Sequence, residues 1–282
     1  MELIKTRSEL RIYLNSARKK GSKIGFVPTM GALHPGHISL IERAKSENNI
    51  VVCSIFVNPT QFNNPADLER YPKTPEKDQK MLIEAGCDLL FLPNIDEMYP
   101  PGDPQTPVLN LGKLDQVMEG KHRPGHFQGV IQIVSRLFDV VEPDRSYFGQ
   151  KDFQQLAVIR EMVRKLGYHV QVIGCPIIRG KNGLAMSSRN ILLSPHERER
   201  AAGIYVTLLE VKKLSSTTPV KELLDLAVER LASIEGLSCE YFEIADSSTL
   251  LSVNSMNDAD SVIACVAVWM GKVRLIDNIF LK

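Results

Sequence analysis

Pro28-Thr29-Met30-Gly31-Ala32-Leu33-His34-Pro35-Gly36-His37 joins an apolar, β-branched run (Ile24, Phe26, Val27) to a helical pattern carried by Ile38, Leu40, Ile41 and Ala44. A second strand-like run, Ile50 to Val57, follows. Strand, loop, helix and strand together span the roughly 30 residues that a parallel βαβ crossover requires. The loop sets two histidines three positions apart at a helix start, where backbone N–H groups lack partners and the dipole is positive. Such helix starts attract phosphate, and imidazoles placed there point to chemistry on the phosphate as well as binding. Pro35 has the fixed φ and missing N–H that suit a first helical turn. Gly36 lets a ligand approach the backbone. His34 and His37, at i and i+3, emerge on one helix face. An isolated HxxH reads as solvated surface; the strand, the Gly31 turn and the Pro-Gly pair around this one favour a nucleotide site.

Outward from this loop, helix and strand signals alternate. Thr6 with Glu9 has the form of a capping box opening a helix to about Lys20, closed by Gly21. Thr74-Pro75 starts a helix that Gly86 ends, and a short apolar strand is expected from Asp88 to Leu92. His126 to Val141 carries apolar residues at helical spacing. Next come a strand at Ser146 to Phe148, a helix from Asp152 to Leu166 stopped by Gly167, and a strand at His169 to Ile173. The alternation predicts an α/β fold with a Rossmann-like, doubly wound parallel sheet. The pattern changes near Arg179 to Arg189. Ser194-Pro195-His196-Glu197 caps a long helix, and a second runs from about Val220 to Ile234. Strands are then expected at Glu240 to Ile244, Val262 to Trp269 and Lys272 to Ile279, the last two forming a hairpin through Met270-Gly271. Two domains are expected: a Rossmann-like one over residues 1–180 and a smaller α+β one over 181–282.

Composition narrows the function. The 282 residues carry a net charge of +1, which gives no electrostatic reason to expect nucleic acid or an anionic membrane as partner. The 5 cysteines (Cys53, Cys87, Cys175, Cys239, Cys265) are scattered, with neither a CxxC pair nor metal-ligand spacing, so disulfides and zinc are not expected. The start Met1-Glu2-Leu3-Ile4-Lys5 has no apolar signal segment, and the longest apolar run, Val262 to Met270, is far below the ~20 residues of a membrane helix. A soluble cytoplasmic protein is expected. Neither a GxxxxGK[ST] loop nor a GxGxxG fingerprint occurs, so P-loop and dinucleotide readings lose their main support.

The HxGH element resembles the nucleotide motif of the nucleotidylyltransferase superfamily, which includes the class I aminoacyl-tRNA synthetases. The longer PTMGALHPGH string is similar to one branch of it, the pantoate–β-alanine ligases or pantothenate synthetases. Phe56-Val57-Asn58-Pro59-Thr60-Gln61-Phe62, Arg123-Pro124-Gly125-His126-Phe127, Phe148-Gly149-Gln150-Lys151-Asp152-Phe153-Gln154-Gln155 and Met186-Ser187-Ser188-Arg189-Asn190 match that family in order and spacing. The likeness extends from about Val27 through Arg274-Leu275-Ile276-Asp277-Asn278.

The resemblance implies a reaction and a site. Pantoate carboxylate attacks the α-phosphorus of ATP, pyrophosphate leaves, and the amine of β-alanine then attacks the pantoyl adenylate to give pantothenate and AMP. His37 takes the catalytic acid role, with His34, Lys151 and Arg189 as the other catalytic groups. Thr29, Met30, Gly31, His34, Gly36, His37, Gly149, Gln150, Lys151, Asp152, Ile178, Met186, Ser187, Ser188 and Arg189 form the ATP site. Gln61 and Gln155, with Asn58 and Arg123 as weaker choices, face pantoate, and Gln61 also faces β-alanine.

On chemistry alone Lys151 is a point charge suited to phosphate. Asp152 suits ribose, a metal-bound water or its own helix N-terminus. Ser187, Ser188 and Arg189 offer hydroxyls and a planar guanidinium to a triphosphate, and they resemble the mobile clamp loop of the synthetases. Mg2+ is expected with ATP, held mainly by phosphates, with Asp78 as a candidate protein ligand. The polar segment Phe62 to Lys73 is a candidate lid over the acyl adenylate. A homodimer is implied. Two alternatives stay open: a nucleotidylyltransferase acting on a phosphate-bearing acceptor, and a non-catalytic nucleotide-binding module. The absence of extra cations near Asn58-Pro59-Thr60-Gln61 weighs against the first, and the intact histidines, Lys151 and clamp serines against the second.

Overall fold

Ile24, Phe26 and Val27, and beside them Val51, Val52 and Cys53, are fully buried, because the strands that carry them lie inside a parallel sheet. The computed structural model describes residues 1–62, 65–102 and 108–282. Strands β1 (Glu2–Ile4), β2 (Ile24–Thr29), β3 (Ile50–Ile55), β4 (Leu89–Phe91), β5 (Arg145–Gly149) and β6 (Gln171–Cys175) form one sheet in the order β1-β4-β3-β2-β5-β6. Every neighbouring pair is parallel. From β2 the chain moves outward through β3 and β4, then returns to the opposite side of β2 with β5 and β6. The strand order reverses between β2 and β5, and ligands of open α/β sheets bind in the crevice outside the carboxyl ends at such a reversal. The edge strand β1 is not among the expected elements; three residues carry too little periodicity to announce it.

Local signals account for most element ends. Thr6 caps the helix Arg7–Lys19, its side chain accepting the Glu9 N–H and donating to the Glu9 carboxylate. β3 stops at Ile55, short of the expected Val57, and Pro59–Gln61 turns as a 3-10 segment. The helix His126–Val141 spans the expected residues and starts after Gly125, whose φ of +80° suits glycine. Four of the cysteines are buried and all five are free. Burial pushes the Cys53 thiol well up, which keeps it a neutral core group.

The chain forms two compact units. One comprises Met1–Leu111, Arg123–Gln150 and Gln155–Pro176; the other comprises Gly112–His122, Lys151–Gln154 and Ile177–Lys282. The change at 176/177 lies close to the expected boundary at 180/181. Two short segments expected in the first domain instead group with the second.

In the second unit β7 (Leu237–Asp246), β8 (Val262–Met270) and β9 (Val273–Phe280) pair antiparallel, with Gly271 at φ +56° turning the last hairpin. The helices Gly203–Leu214 and Val220–Ala232 share a core with this sheet, built from Leu208, Val211, Leu223, Leu231, Val262 and Val266. The single long helix expected after Ser194 is two, Pro195–Ala201 and Gly203–Leu214. At the junction a Cβ on Gly203 would stand 2.5 Å from Ile234 Cδ1, so the glycine permits close packing.

Segment 112–122 is pinned by polar contacts. Arg274 donates two hydrogen bonds to Glu119, at 2.8 and 2.7 Å, and the Tyr241 hydroxyl donates a third at 2.8 Å. Gln154 donates to the carbonyls of Leu114 and Val117 and accepts the Glu119 N–H. Burial alone would raise the Glu240 carboxyl nearby, but hydrogen bonds from Arg274 and Trp269 outweigh it and hold that group below the usual carboxylate range.

Candidate active site

The loop between β2 and the helix Pro35–Glu47 is built on an unfavourable backbone. Gly31 has φ +81° and Ala32 φ +49°. A left-handed alanine costs about 1–2 kcal/mol, so something must hold it. That group is Asp78, which is 1% exposed. Its carboxylate accepts the Ala32 N–H at 2.9 Å, the Leu33 N–H at 2.7 Å and the Thr74 hydroxyl at 2.9 Å. Thr29 ties the loop to β3, donating its hydroxyl to the Ser54 carbonyl at 2.8 Å and accepting the Gly31 N–H at 3.2 Å. Both Asp78 oxygens are engaged by the loop backbone and the Thr74 hydroxyl, so the residue braces the histidine loop.

The two histidines cap their own helix. His34 is the N-cap, with φ −143° and ψ 169°. Its Nδ1 accepts the Gly36 N–H at 3.1 Å, and His37 Nδ1 accepts the His34 N–H at 3.3 Å. This is a capping box in which imidazoles replace the usual hydroxyl and carboxyl. The physical consequence is a fixed tautomer. A neutral imidazole that accepts at Nδ1 carries its proton on Nε2, so each ring keeps an Nε2–H donor. The ring centroids are 4.0 Å apart and the ring planes are tilted by 37°. The backbone N–H of Gly36 at the helix start is taken up by the cap.

The turn after β3 carries Asn58 and Gln61, and the structure gives them different jobs. Asn58 is 0% exposed. Its amide donates to the Gly129 carbonyl and the Thr60 hydroxyl, both at 3.0 Å, and its oxygen accepts the Tyr99 hydroxyl at 2.8 Å. Burial raises the Tyr99 phenol, which keeps it a donor. With both ends engaged, Asn58 shapes the turn. Gln61 stands within the same turn, its Nε2 2.7 Å from Met30 Sδ, and its carbonyl accepts His126 Nδ1–H at 2.7 Å. The first unit thus brings Thr29–His37, Asp78, Asn58 and Gln61 together outside the carboxyl ends of β2 and β3.

Gly129 permits that packing. A Cβ there would sit 2.4 Å from the Thr60 carbonyl oxygen and 2.7 Å from Gln61 Cα. Its signal is present in the sequence, as an isolated glycine inside a helical pattern, but its role needs the fold. Arg123 is half-buried just before the same helix, where its carbonyl accepts the His126 N–H. Gly149 ends β5, and Gln155 lies half-buried on the helix Phe153–Leu166. Residues 63 and 64 of the candidate lid lie outside the described residues.

Gln150 closes a stretch of the first unit, and the second unit carries Lys151, Asp152, Ile178 and the segment Met186–Arg189. Gln150–Asp152 forms a 3-10 turn, so the helix starts at Phe153, one residue later than expected. Lys151, with a side chain 17% exposed, stands 3.9 Å from Asp152, which is 49% exposed. Ile178 accepts the Met186 N–H at 2.9 Å, closing a narrow loop. Ser187 caps the 3-10 segment Ser188–Leu192 by accepting the Arg189 N–H at 3.2 Å, while Ser188 is buried. Among the described residues no three His, Cys, Asp or Glu side chains converge as a metal site. Nor is any described helix long and apolar enough to cross a membrane.

Comparison with known proteins agrees with the fold. A family model described as pantoate-beta-alanine ligase matches residues 2–280. A pantothenate synthetase of Bacteroides thetaiotaomicron is 50% identical over 282 residues, covering 100% of this chain and 99% of the relative. One from Porphyromonas gingivalis is 50% identical over 279 residues, covering 99% of each. The crystal structure of a Thermus thermophilus pantothenate synthetase superimposes with a TM-score of 0.94 at 44% identity, covering 100% of both chains. A Francisella tularensis pantoate-beta-alanine ligase complexed with beta-gamma ATP and beta-alanine gives 0.82 at 36% identity, covering 100% of this chain and 98% of that one.

Proposed function

The chain belongs to the pantoate–β-alanine ligase family, and on that footing we propose that its histidine loop drives formation of a pantoyl adenylate. The protein condenses pantoate with β-alanine in an ATP-dependent ligase reaction. In our reading pantoate carboxylate attacks the α-phosphorus, the bond to pyrophosphate breaks, and β-alanine then displaces AMP. The observation that carries this is the double imidazole cap, which fixes a proton on Nε2 of each ring as a donor for charge that grows on the α-phosphate and departing pyrophosphate. Donors fixed before the reaction need no reorganisation as that charge develops. His37 is assigned the proton-donating role and His34 a second contact.

Lys151, Ser187, Ser188 and Arg189 are assigned to the phosphates, and Gly149, Gln150, Asp152 and Ile178 to the rest of ATP. Gln61 and Gln155 are assigned to pantoate, with Gln61 also near β-alanine. Asn58 holds the turn that presents Gln61. Mg2+ enters with ATP as part of the substrate, bound through phosphate oxygens; the chain's described carboxylates form no cage for it, and no step is routed through it. A cytoplasmic homodimer is proposed from the family resemblance.

The test is pyrophosphate exchange. Labelled pyrophosphate should enter ATP when pantoate is present and β-alanine is absent. Exchange that ignores pantoate, or that needs β-alanine, would overturn the two-step reading. A second expectation concerns Gln61. Overpacking costs about 1–3 kcal/mol, so Gly129→Ala should push the 58–61 turn away and raise KM for pantoate about tenfold or more. KM for ATP should change little; equal effects on both constants in steady-state kinetics would detach Gln61 from pantoate.

A further inference from the structure

The motif Arg274-Leu275-Ile276-Asp277-Asn278 ends in two polar residues that are each 4% exposed, on a strand that otherwise contributes to an apolar core. Neither carries a role in the reaction described above. Their partners give one. Asn278 Nδ2 donates to the Lys151 carbonyl at 2.9 Å, and the Asn278 N–H donates to Asp277 Oδ1 at 2.8 Å. Asp277 in turn holds Arg179 with two parallel hydrogen bonds, at 2.5 and 2.9 Å. Such a fork fixes orientation as well as distance.

Arg179 occupies the start of the narrow loop that delivers the Met186–Arg189 segment. It forms a β-bridge with Ala185, donates to the Gly183 carbonyl at 3.2 Å and lies 3.6 Å from the centroid of the Tyr205 ring. Gly183, at φ +89°, lets that ring in; a Cβ there would stand 2.7 Å from Tyr205 Cδ1. The Met186 N–H then closes on the Ile178 carbonyl, and the Asn190 amide donates to the Ala185 carbonyl at 3.0 Å. A single chain of contacts therefore runs from the backbone of Lys151 through Asn278, Asp277 and Arg179 to the base of the serine–arginine loop, all inside the second unit.

The geometry points to Asn278 and Asp277 as positioning residues for the adenylation step. They hold the lysine and the base of the clamp loop as one rigid piece, so that ammonium, hydroxyls and guanidinium are presented at a constant mutual spacing. This inference rests on the assignment of Lys151 and Arg189 to the triphosphate. A phosphate cradle needs that constancy because catalysis of adenylyl transfer is mostly positioning and charge stabilisation, and a displacement of about 1 Å can cost about 10²-fold in rate.

The experiment is a double-mutant cycle in the full-length protein, read by pantoate-dependent pyrophosphate exchange and by KM for ATP and for β-alanine. Asn278→Ala is expected to slow exchange about 10- to 10²-fold and raise KM for ATP, with KM for β-alanine unchanged. Lys151→Ala should do the same, and the double variant should exchange no more slowly than Lys151→Ala alone. Multiplying losses would place Asn278 outside the lysine's path and overturn the inference, as would an Asn278→Ala enzyme that exchanges at the parental rate. A Lys151→Ala enzyme at the parental rate would instead sink the assignment of Lys151 itself, a failure distinguishable because it appears in the single variant. If the alanine variant fails to fold by circular dichroism, Asn278→Ser, whose hydroxyl is too short to reach the carbonyl, carries the same expectations.

Discussion

His37→Ala is expected to lower kcat by about 10²–10³-fold while leaving ATP affinity little changed, because one preorganised donor to developing charge is typically worth that much. The side chain has two jobs, and the magnitudes separate them. Its Nδ1 caps the helix by accepting the His34 N–H, and loss of a cap costs about 1 kcal/mol of stability. A rate loss of 10²–10³ corresponds to about 2.7–4 kcal/mol, so the cap cannot account for it. His37→Gln sharpens the point. Glutamine at this third helical position is a natural capping-box partner, so it should restore the loop and still leave most of the rate loss. Single-turnover formation of AMP and pantothenate is the measurement. Recovery to near-parental turnover in the glutamine variant would reduce His37 to a structural cap.

Asp78→Ala should be nearly as damaging, by loosening the loop that carries the histidines. It removes the carboxylate that accepts the Ala32 and Leu33 N–H groups, and taking the acceptor from a buried donor costs about 1–3 kcal/mol. It also removes the brace on the left-handed Ala32. The histidine loop should relax away from its working form, with kcat/KM falling about 10²-fold and thermal stability dropping with it. Asp78→Asn keeps the volume but turns an amide N–H toward one backbone donor, so an intermediate loss is expected. The same experiment tests the metal-ligand role that the sequence suggests. A ligand variant should recover activity as Mg2+ is raised, whereas a loop variant should not. Recovery in excess Mg2+ would return Asp78 to the metal.

The site is legible in the sequence where its chemistry is local. The PTMGALHPGH string announces strand, turn and helix start within a few positions, because proline, glycine and cap geometry act through neighbouring backbone. The same locality makes the helix His126–Val141 and the Thr6 cap readable. Lys151 and the Met186–Arg189 loop stand out only through family resemblance. Their own residue types fit a polar linker equally well.

What local reading misses involves partners far apart in the chain. Asp78 sits 45 and 46 residues from the amides it holds, and nothing around it distinguishes a brace from a metal ligand. Asn58 has the chemistry of a substrate contact, yet its amide is engaged by Gly129, 71 residues away. The tautomers of His34 and His37 follow from which backbone N–H meets which nitrogen, a matter of ångströms. Segment 112–122 falls in the first domain by position, but Glu119 meets Arg274, 155 residues later.

Sequence alone therefore determined the order of elements, the parallel sheet and the position of the histidine loop, because steric and capping preferences are settled within a turn or two of chain. Tertiary structure decided which distant groups each buried polar side chain is paired with. A buried donor or acceptor must find a partner wherever packing supplies one, and that choice is made by contacts no local window contains.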